Sequence, residues 1–224
     1  MYQLVIGNKN YSSWSLRPWV LMQVANISFR EISLNIYTPE GKQQLQQYSE
    51  TAKVPVLIHQ DITIWDSLAI AEYLAEQHPD KNLWPSTTAA RAQARAVVSE
   101  MHSGFTGVRN ALPMNCRRNI TLTTIDPASQ RDIERISHIW RDCRTRFGGE
   151  GNFLFGQFSI ADAFYAPIVI RFHGYGISLG NIERDYMESM LALPAMRQWI
   201  NAGRQESTYV AQYDDIYSEL DVLG

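Results

Sequence analysis

The sequence predicts a two-part chain, an α/β unit over residues 1–80 followed by an all-helical bundle over residues 89–224. Three observations carry this. Short alternating runs and helix-spaced apolar runs follow one another in the order β-α-β-α-β-β-α up to Gln77. A polar stretch from His78 to Thr88, holding Pro79 and Pro85, then interrupts the pattern. Beyond it no period-two alternation returns, and helix starts such as Asp126-Pro127, a cap residue followed by proline, take its place. A length of 224 residues suits one large domain or two small ones.

The first unit reads in order. Tyr2, Leu4 and Ile6 alternate with Gln3 and Val5 as a strand, and Gly7-Asn8-Lys9-Asn10 turns the chain. Ser15 to Ala25 is a helix with Leu16, Trp19, Val20 and Val24 at helical spacing, and Pro18 is tolerated because it falls in the first turn. Ile32, Leu34 and Ile36 alternate with Glu31, Ser33 and Asn35 as a half-buried second strand. The polar stretch from Thr38 to Thr51 has room for one short helix. Val54–Ile58 and Ile62–Trp65 then form a hairpin across His59-Gln60-Asp61. Ser67 to Gln77 places Ile70, Tyr73 and Leu74 on one helical face, and His78-Pro79-Asp80 ends it. Helix-forming residues run from the boundary to Asn110, and the end of the chain, with Tyr209, Tyr213 and Tyr217, reads equally as a packed tail or a frayed end.

Composition narrows the functional classes. A formal charge of −3 from 20 basic and 23 acidic residues spread along the chain leaves no footprint for nucleic acid or an anionic membrane. No apolar run reaches the length of a membrane span, and the start MYQLVIGNKN lacks the pattern of a signal peptide, so a cytoplasmic location is expected. Cys116 and Cys143 are too few for a disulfide framework or a thiolate metal site and read as reduced, structural thiols. The five histidines are scattered, and no metal site is expected.

Chemistry concentrates at three element starts. Tyr11-Ser12-Ser13-Trp14-Ser15 lies between the first strand and the first helix, where orphan N–H groups and the helix dipole favour an anion. Were that anion a ligand's thiolate, a serine hydroxyl would donate to sulfur and lower its pKa from about 8.5. Ordinary N-capping explains the serines as well. At Val54-Pro55, a cis bond would turn the backbone of Val54 outward to pair with a peptide-like ligand, whereas a trans proline would simply open the strand. Asp66-Ser67 opens a helix directly after a strand, offering N–H donors to a carboxylate and Asp66 to an ammonium, or else a plain helix cap.

These residues carry a family resemblance. YSSWSLRPW resembles the serine motif of the zeta and related serine-type cytosolic glutathione S-transferases, AKVPVL their cis-proline segment, and WDSLAIAEYL their γ-glutamyl-binding segment. FLFGQFSIADAFYAP resembles the core helix motif of the family, with Ser159 and Asp162 as its capping box and a structural part. The resemblance covers nearly the whole chain and implies a thioredoxin-like first domain, a detoxifying transferase activity and a homodimer.

By the same resemblance Ser12 aligns with the serine that activates the glutathione thiol, and Ser13 is the neighbour able to replace it. Val54, beside Pro55, would hold the cysteinyl backbone, Asp66 and Ser67 the γ-glutamyl end, and Lys42 or Lys53 the glycine carboxylate. Glutathione is thus the expected co-substrate, with a small electrophile as the second and no metal. Trp14 stands where zeta-type members carry a cysteine, which disfavours thiol-disulfide chemistry and weakens a specific reading as a maleylacetoacetate isomerase. The second substrate is expected between the domains, near Trp14 and against the first long bundle helix, where Met101, His102, Phe105 and Arg109 recur at helical spacing. That spacing equally describes core packing. Glutathione-dependent cis-trans isomerisation and a binding protein without turnover are the alternative functions.

Overall fold

The computed structural model describes residues 1–218. Its first part is a four-stranded sheet in the order β2-β1-β3-β4, built from β1 (Tyr2–Ile6), β2 (Phe29–Ser33), β3 (Val56–His59) and β4 (Ile62–Trp65). β1 and β2 are parallel, joined through helix α1 (Ser13–Val24), while β3 is antiparallel to both β1 and β4. Helices α2 (Pro39–Gln46) and α3 (Ser67–Gln77) complete a thioredoxin-like unit. A 3-10 turn at Pro79–Lys81 leads to α4 (Thr88–Ser103), α5 (Thr106–Ala111), α6 (Pro127–Phe147), α7 (Ile160–Gly174), α8 (Asn181–Ala192), α9 (Pro194–Gln205) and the short α10 (Ala211–Asp214). Among the described residues, no helix is long and apolar enough to cross a membrane.

One continuous core joins the sheet to the bundle. Leu4, Ile6, Leu16, Trp19 and Leu57 from the first part pack with Val98, Met101, Phe164 and Trp199 from the second. α7 is its axis, lying against α1, α4 and α8. Its start is fixed by the capping box: Ser159's N–H donates to Asp162 Oδ2 at 2.8 Å, Ser159's hydroxyl donates to the same oxygen at 3.0 Å, and the N–H of Leu154 donates to Oδ1 at 3.0 Å.

Two of the element ends that differ from expectation do so for identifiable reasons. β2 covers Phe29–Ser33 and does not extend to Ile36. Its partner β1 ends at Ile6, opposite Ser33, and then Asn8 Oδ1 takes the N–H of Ile36 while Asn35 Oδ1 takes that of Tyr37, which turns the chain out of the sheet. The long helix beyond the boundary stops at Ser103 instead of running to Asn110. Gly104 is extended, Phe105 takes φ +61° with its ring buried, and Arg109 folds back so that its guanidinium donates to the carbonyls of Met101 and Gly104. An arginine side chain thus satisfies helix-end carbonyls that would otherwise lack partners.

The wall formed by α2 depends on one close approach. A Cβ added at Gly41 would lie 1.8 Å from the carbonyl oxygen of Asn35. Gly41→Ala is therefore expected to cost about 1–3 kcal/mol through forced backbone shift, as read by chemical denaturation.

Candidate active site

The two parts enclose a cavity of about 910 Å³. The sheet side supplies Ser12, Ser13 and Trp14 from the start of α1, Lys42 from α2, Lys53, Val54 and Pro55 before β3, and Asp66 and Ser67 at the start of α3. The helical side supplies Arg109, Pro113, Met114, Arg171 and Tyr213.

Ser12 and Ser13 differ in what they already hold. Ser12 is the N-cap of α1: its Oγ accepts the N–H of Ser15 at 3.3 Å and donates to Ser15 Oγ at 2.8 Å, while Ser15 Oγ accepts the N–H of Gly7 at 3.1 Å. Ser13 is the first residue of the helix, nearly buried, and its hydroxyl has no partner among the described residues. At the positive end of a twelve-residue helix, an uncommitted hydroxyl on a cavity wall is suited to donate to an anion.

The peptide between Val54 and Pro55 is cis. β3 begins only at Val56, which leaves the backbone of Val54 on the cavity wall outside the sheet ladder. Asp66 has φ +74° and ψ 130°, a strained conformation for a residue with a side chain and of the kind that gathers at functional sites. Its Oδ1 accepts the N–H groups of Leu68 and Ala69, at 2.7 and 3.3 Å, so it caps α3, and its Oδ2 lies 3.2 Å from His102 Nε2. Burial, with help from Arg17 and Arg109, outweighs Asp66 and lowers the His102 pKa, so the imidazole is neutral at pH 7 and this contact is a hydrogen bond rather than an ion pair. Ser67 is almost fully buried and accepts from Arg17 Nη1 at 3.3 Å.

The expected acceptor pocket is only partly assembled as the sequence suggested. Trp14 and Arg109 line the cavity, but Met101 and Phe105 are buried in the core and His102 stacks edge-on against Trp14 at 5.3 Å, all three outside the cavity lining. The break at Gly104 separates Phe105 and Arg109 from the α4 face that carries Met101 and His102, so the four do not share one helical face.

Tyr37, Met114, Arg171 and Tyr213 are cavity residues that local patterns did not single out. Tyr213 brings the tail into the site: its ring lies 5.4 Å from that of Tyr11 and 6.0 Å from that of Tyr37. The tail is anchored by Asp214, which accepts from Asn115 Nδ2 at 2.9 Å and pairs with Arg117. The tail lies against the body through Tyr213, Asp214 and Tyr217, with Ala211, Gln212, Asp215 and Ser218 exposed, and residues 219–224 lie outside the described residues. Tyr11, which lines the cavity beside the two serines, is committed to the tail. Its hydroxyl reaches Asp214 Oδ2 at 2.5 Å, and burial first, then Asp214, pushes its pKa up to about 12. Burial likewise pushes the thiols of Cys116 and Cys143 up to about 12, and both are free. Among the described residues, no group of three or more histidine, cysteine or acidic side chains is placed to hold a metal ion.

A thioredoxin-like sheet, a helical bundle packed on it, and a cavity at the joint opening on a cis-proline and two helix starts together define a class of two-part transferase fold. Residues 11–77 match the model of the glutathione S-transferase N-terminal domain, and residues 126–202 match that of the C-terminal domain. The chain belongs to the glutathione S-transferase family.

It is similar to the probable maleylacetoacetate isomerase of Caenorhabditis elegans, with 34% identity over 99 residues, 44% of this chain and 46% of that protein. The match therefore spans less than half the length of that relative. Glutathione S-transferase GstB of Escherichia coli K12 is 24% identical over 148 residues, 62% of this chain and 67% of that protein. In fold the chain resembles a glutathione transferase homolog from Burkholderia solved with bound glutathione, at a TM-score of 0.69 and 23% identity over 92% of this chain and 99% of that one.

Proposed function

We propose that this chain is a glutathione transferase in which residues 1–80 bind the tripeptide, residues 89–224 supply the wall for a small electrophile, and Ser13 stabilises the thiolate. The observation that carries this reading is the uncommitted Ser13 hydroxyl at the head of α1, in one cavity with the cis Val54-Pro55 peptide, Asp66 and Ser67. The tripeptide lies as an added strand on the backbone of Val54, its γ-glutamyl end at the start of α3 and its glycine carboxylate within reach of Lys42 or Lys53, both of which line the cavity. Ser12, already capping the helix, holds the loop that presents Ser13. Thiolate attack on an electrophilic carbon then needs orientation and a fixed donor rather than a covalent enzyme intermediate. The protein acts in the cytoplasm as a homodimer in this reading.

Isothermal calorimetry with millimolar glutathione, paired with the ultraviolet absorbance of bound thiolate at neutral pH, tests it. Heat together with thiolate absorbance is expected, and a folded protein that gives neither refutes it. The likeness to the nematode isomerase favours one second reading, glutathione-dependent cis-trans isomerisation, in which glutathione is regenerated without a stable conjugate. Product analysis by mass spectrometry separates the two.

A further inference from the structure

Three arginines meet behind the helical side of the cavity, and no carboxylate among the described residues pairs with any of them. Arg171 sits near the end of α7, a helix otherwise almost wholly apolar, with Nε donating to the carbonyl of Leu112 at 2.7 Å and Nη1 to that of Pro167 at 3.3 Å. Arg109 donates to the carbonyls that end α4, and its guanidinium lies 5.1 Å from the centre of the Trp14 ring. Arg17, inaccessible to solvent, stacks on the same ring at 4.1 Å and on Phe164 at 4.8 Å, and its Nε and Nη2 have no hydrogen-bond partner. Asp66 and Asp132 lie near enough to favour the charges on Arg17 and Arg109 respectively, but Asp66 caps α3 and Asp132 Oδ2 takes the N–H of Val108 at 3.0 Å.

Concentrating buried positive charge in this way is costly. Burial depresses all three guanidinium pKa values, and repulsion from Arg109 adds to it at Arg17 and at Arg171, the last of which falls to about 9. Neutral carbonyl and hydroxyl partners and the rings of Trp14 and Phe164 offset only part of that cost, which suits the cluster to an anion entering from the cavity. Arg109 and Arg171 line that cavity from the helical side, Ser13, Val54 and Ser67 line it from the sheet side, and the half-exposed Trp14 ring adds apolar surface to the same cavity. A tripeptide held on the sheet side leaves these two guanidiniums facing the other reactant.

We propose that the electrophile is a planar organic acid, its carboxylate held by Arg109 and Arg171 and its unsaturated body laid on Trp14. This rests on the transferase reading above. With an aryl chloride as the probe, the thiolate forms the C–S bond, chloride leaves with the electron pair of the C–Cl bond, and the thiol proton passes to solvent.

Binding is measured by calorimetry with the unreactive pair 3,5-dinitrobenzoate and 3,5-dinitrobenzamide, each with and without glutathione. Turnover is compared between 4-chloro-3,5-dinitrobenzoate and its carboxamide, each rate divided by the uncatalysed one. The acid is expected to bind and react at least about tenfold better than the amide, with glutathione present as well as absent, and Arg171→Gln should bring the ratio close to unity. Equal affinities in the folded wild-type protein overturn the inference, and so does displacement of the benzoate by glutathione, which would assign the arginines to the tripeptide. The wild-type comparison decides even if the variant fails to fold. Absence of heat from glutathione alone overturns the transferase reading instead, while the benzoate and benzamide titrations still decide whether the cavity selects an anion.

Discussion

Ser13→Ala is expected to lower kcat/KM for glutathione conjugation by about 10²–10³, the usual cost of removing one preorganised donor to a developing or stabilised anion. The affinity for glutathione should hardly change, because the tripeptide's other contacts, at Val54, Asp66 and Ser67, are untouched. Loss of the donor raises the pKa of the bound thiol, so the acidic limb of the kcat/KM profile should move to higher pH by about 1–2 units, the equivalent of one charge-assisted hydrogen bond. Ser12→Ala should behave differently. Its hydroxyl accepts the N–H of Ser15 and donates to Ser15 Oγ, so its removal costs a helix cap, about 1 kcal/mol of stability, with a rate loss smaller than that of Ser13→Ala. Steady-state kinetics over pH, together with thermal melts of both variants, separate the two serines. A large rate loss at Ser12 with normal turnover at Ser13 would return the thiol to Ser12.

The pair of serines also shows what a sequence holds and where it falls short. YSSWS locates a helix start and a hydroxyl-rich anion site, but which hydroxyl is left over depends on the rotamer of Ser15 and the reach of Gly7, both properties of the folded turn. α3 was fully legible, since Asp66 starts it and His78-Pro79 stops it within the chain itself. The far end of β2 is not legible in the chain itself, because its alternation continues to Ile36, past the point where β1 has residues left to pair. Helical spacing at Met101, Phe105 and Arg109 cannot distinguish core from cavity, and Gly104, tolerable inside a helix, here ends one. Tyr37, Tyr213 and Arg171 come from segments far apart in the chain and meet only through tertiary packing. Of these only Arg171 carried a local sign, a charged side chain in an apolar helix, where burial demands a partner or a purpose.

Asp162→Ala is expected to destabilise the fold by about 3–5 kcal/mol, among the largest single-residue effects in this chain. The substitution strands three donors in a site with no access to water: the N–H groups of Leu154 and Ser159 and the hydroxyl of Ser159. Each costs about 1–3 kcal/mol when left unpaired. They hold the start of α7, the helix against which α1, α4 and α8 pack, so the damage spreads through both parts of the protein. The pH dependence gives the carboxyl group its own signature. Burial is the dominant influence and raises its pKa to about 6, against the opposing pull of the Leu154 and Ser159 hydrogen bonds. A folded pKa above the unfolded value of about 3.9 means that the proton-linked part of the stabilisation is complete below that value and is lost as pH rises through 6. The stability difference between wild type and Asp162→Asn should therefore be greater at pH 4 than at pH 7, by roughly 2–3 kcal/mol, since this comparison cancels the titration of the other carboxylates. Urea denaturation of both proteins across that range measures it. A difference that grows with pH would mean that the three donors outweigh burial and hold Asp162 ionised.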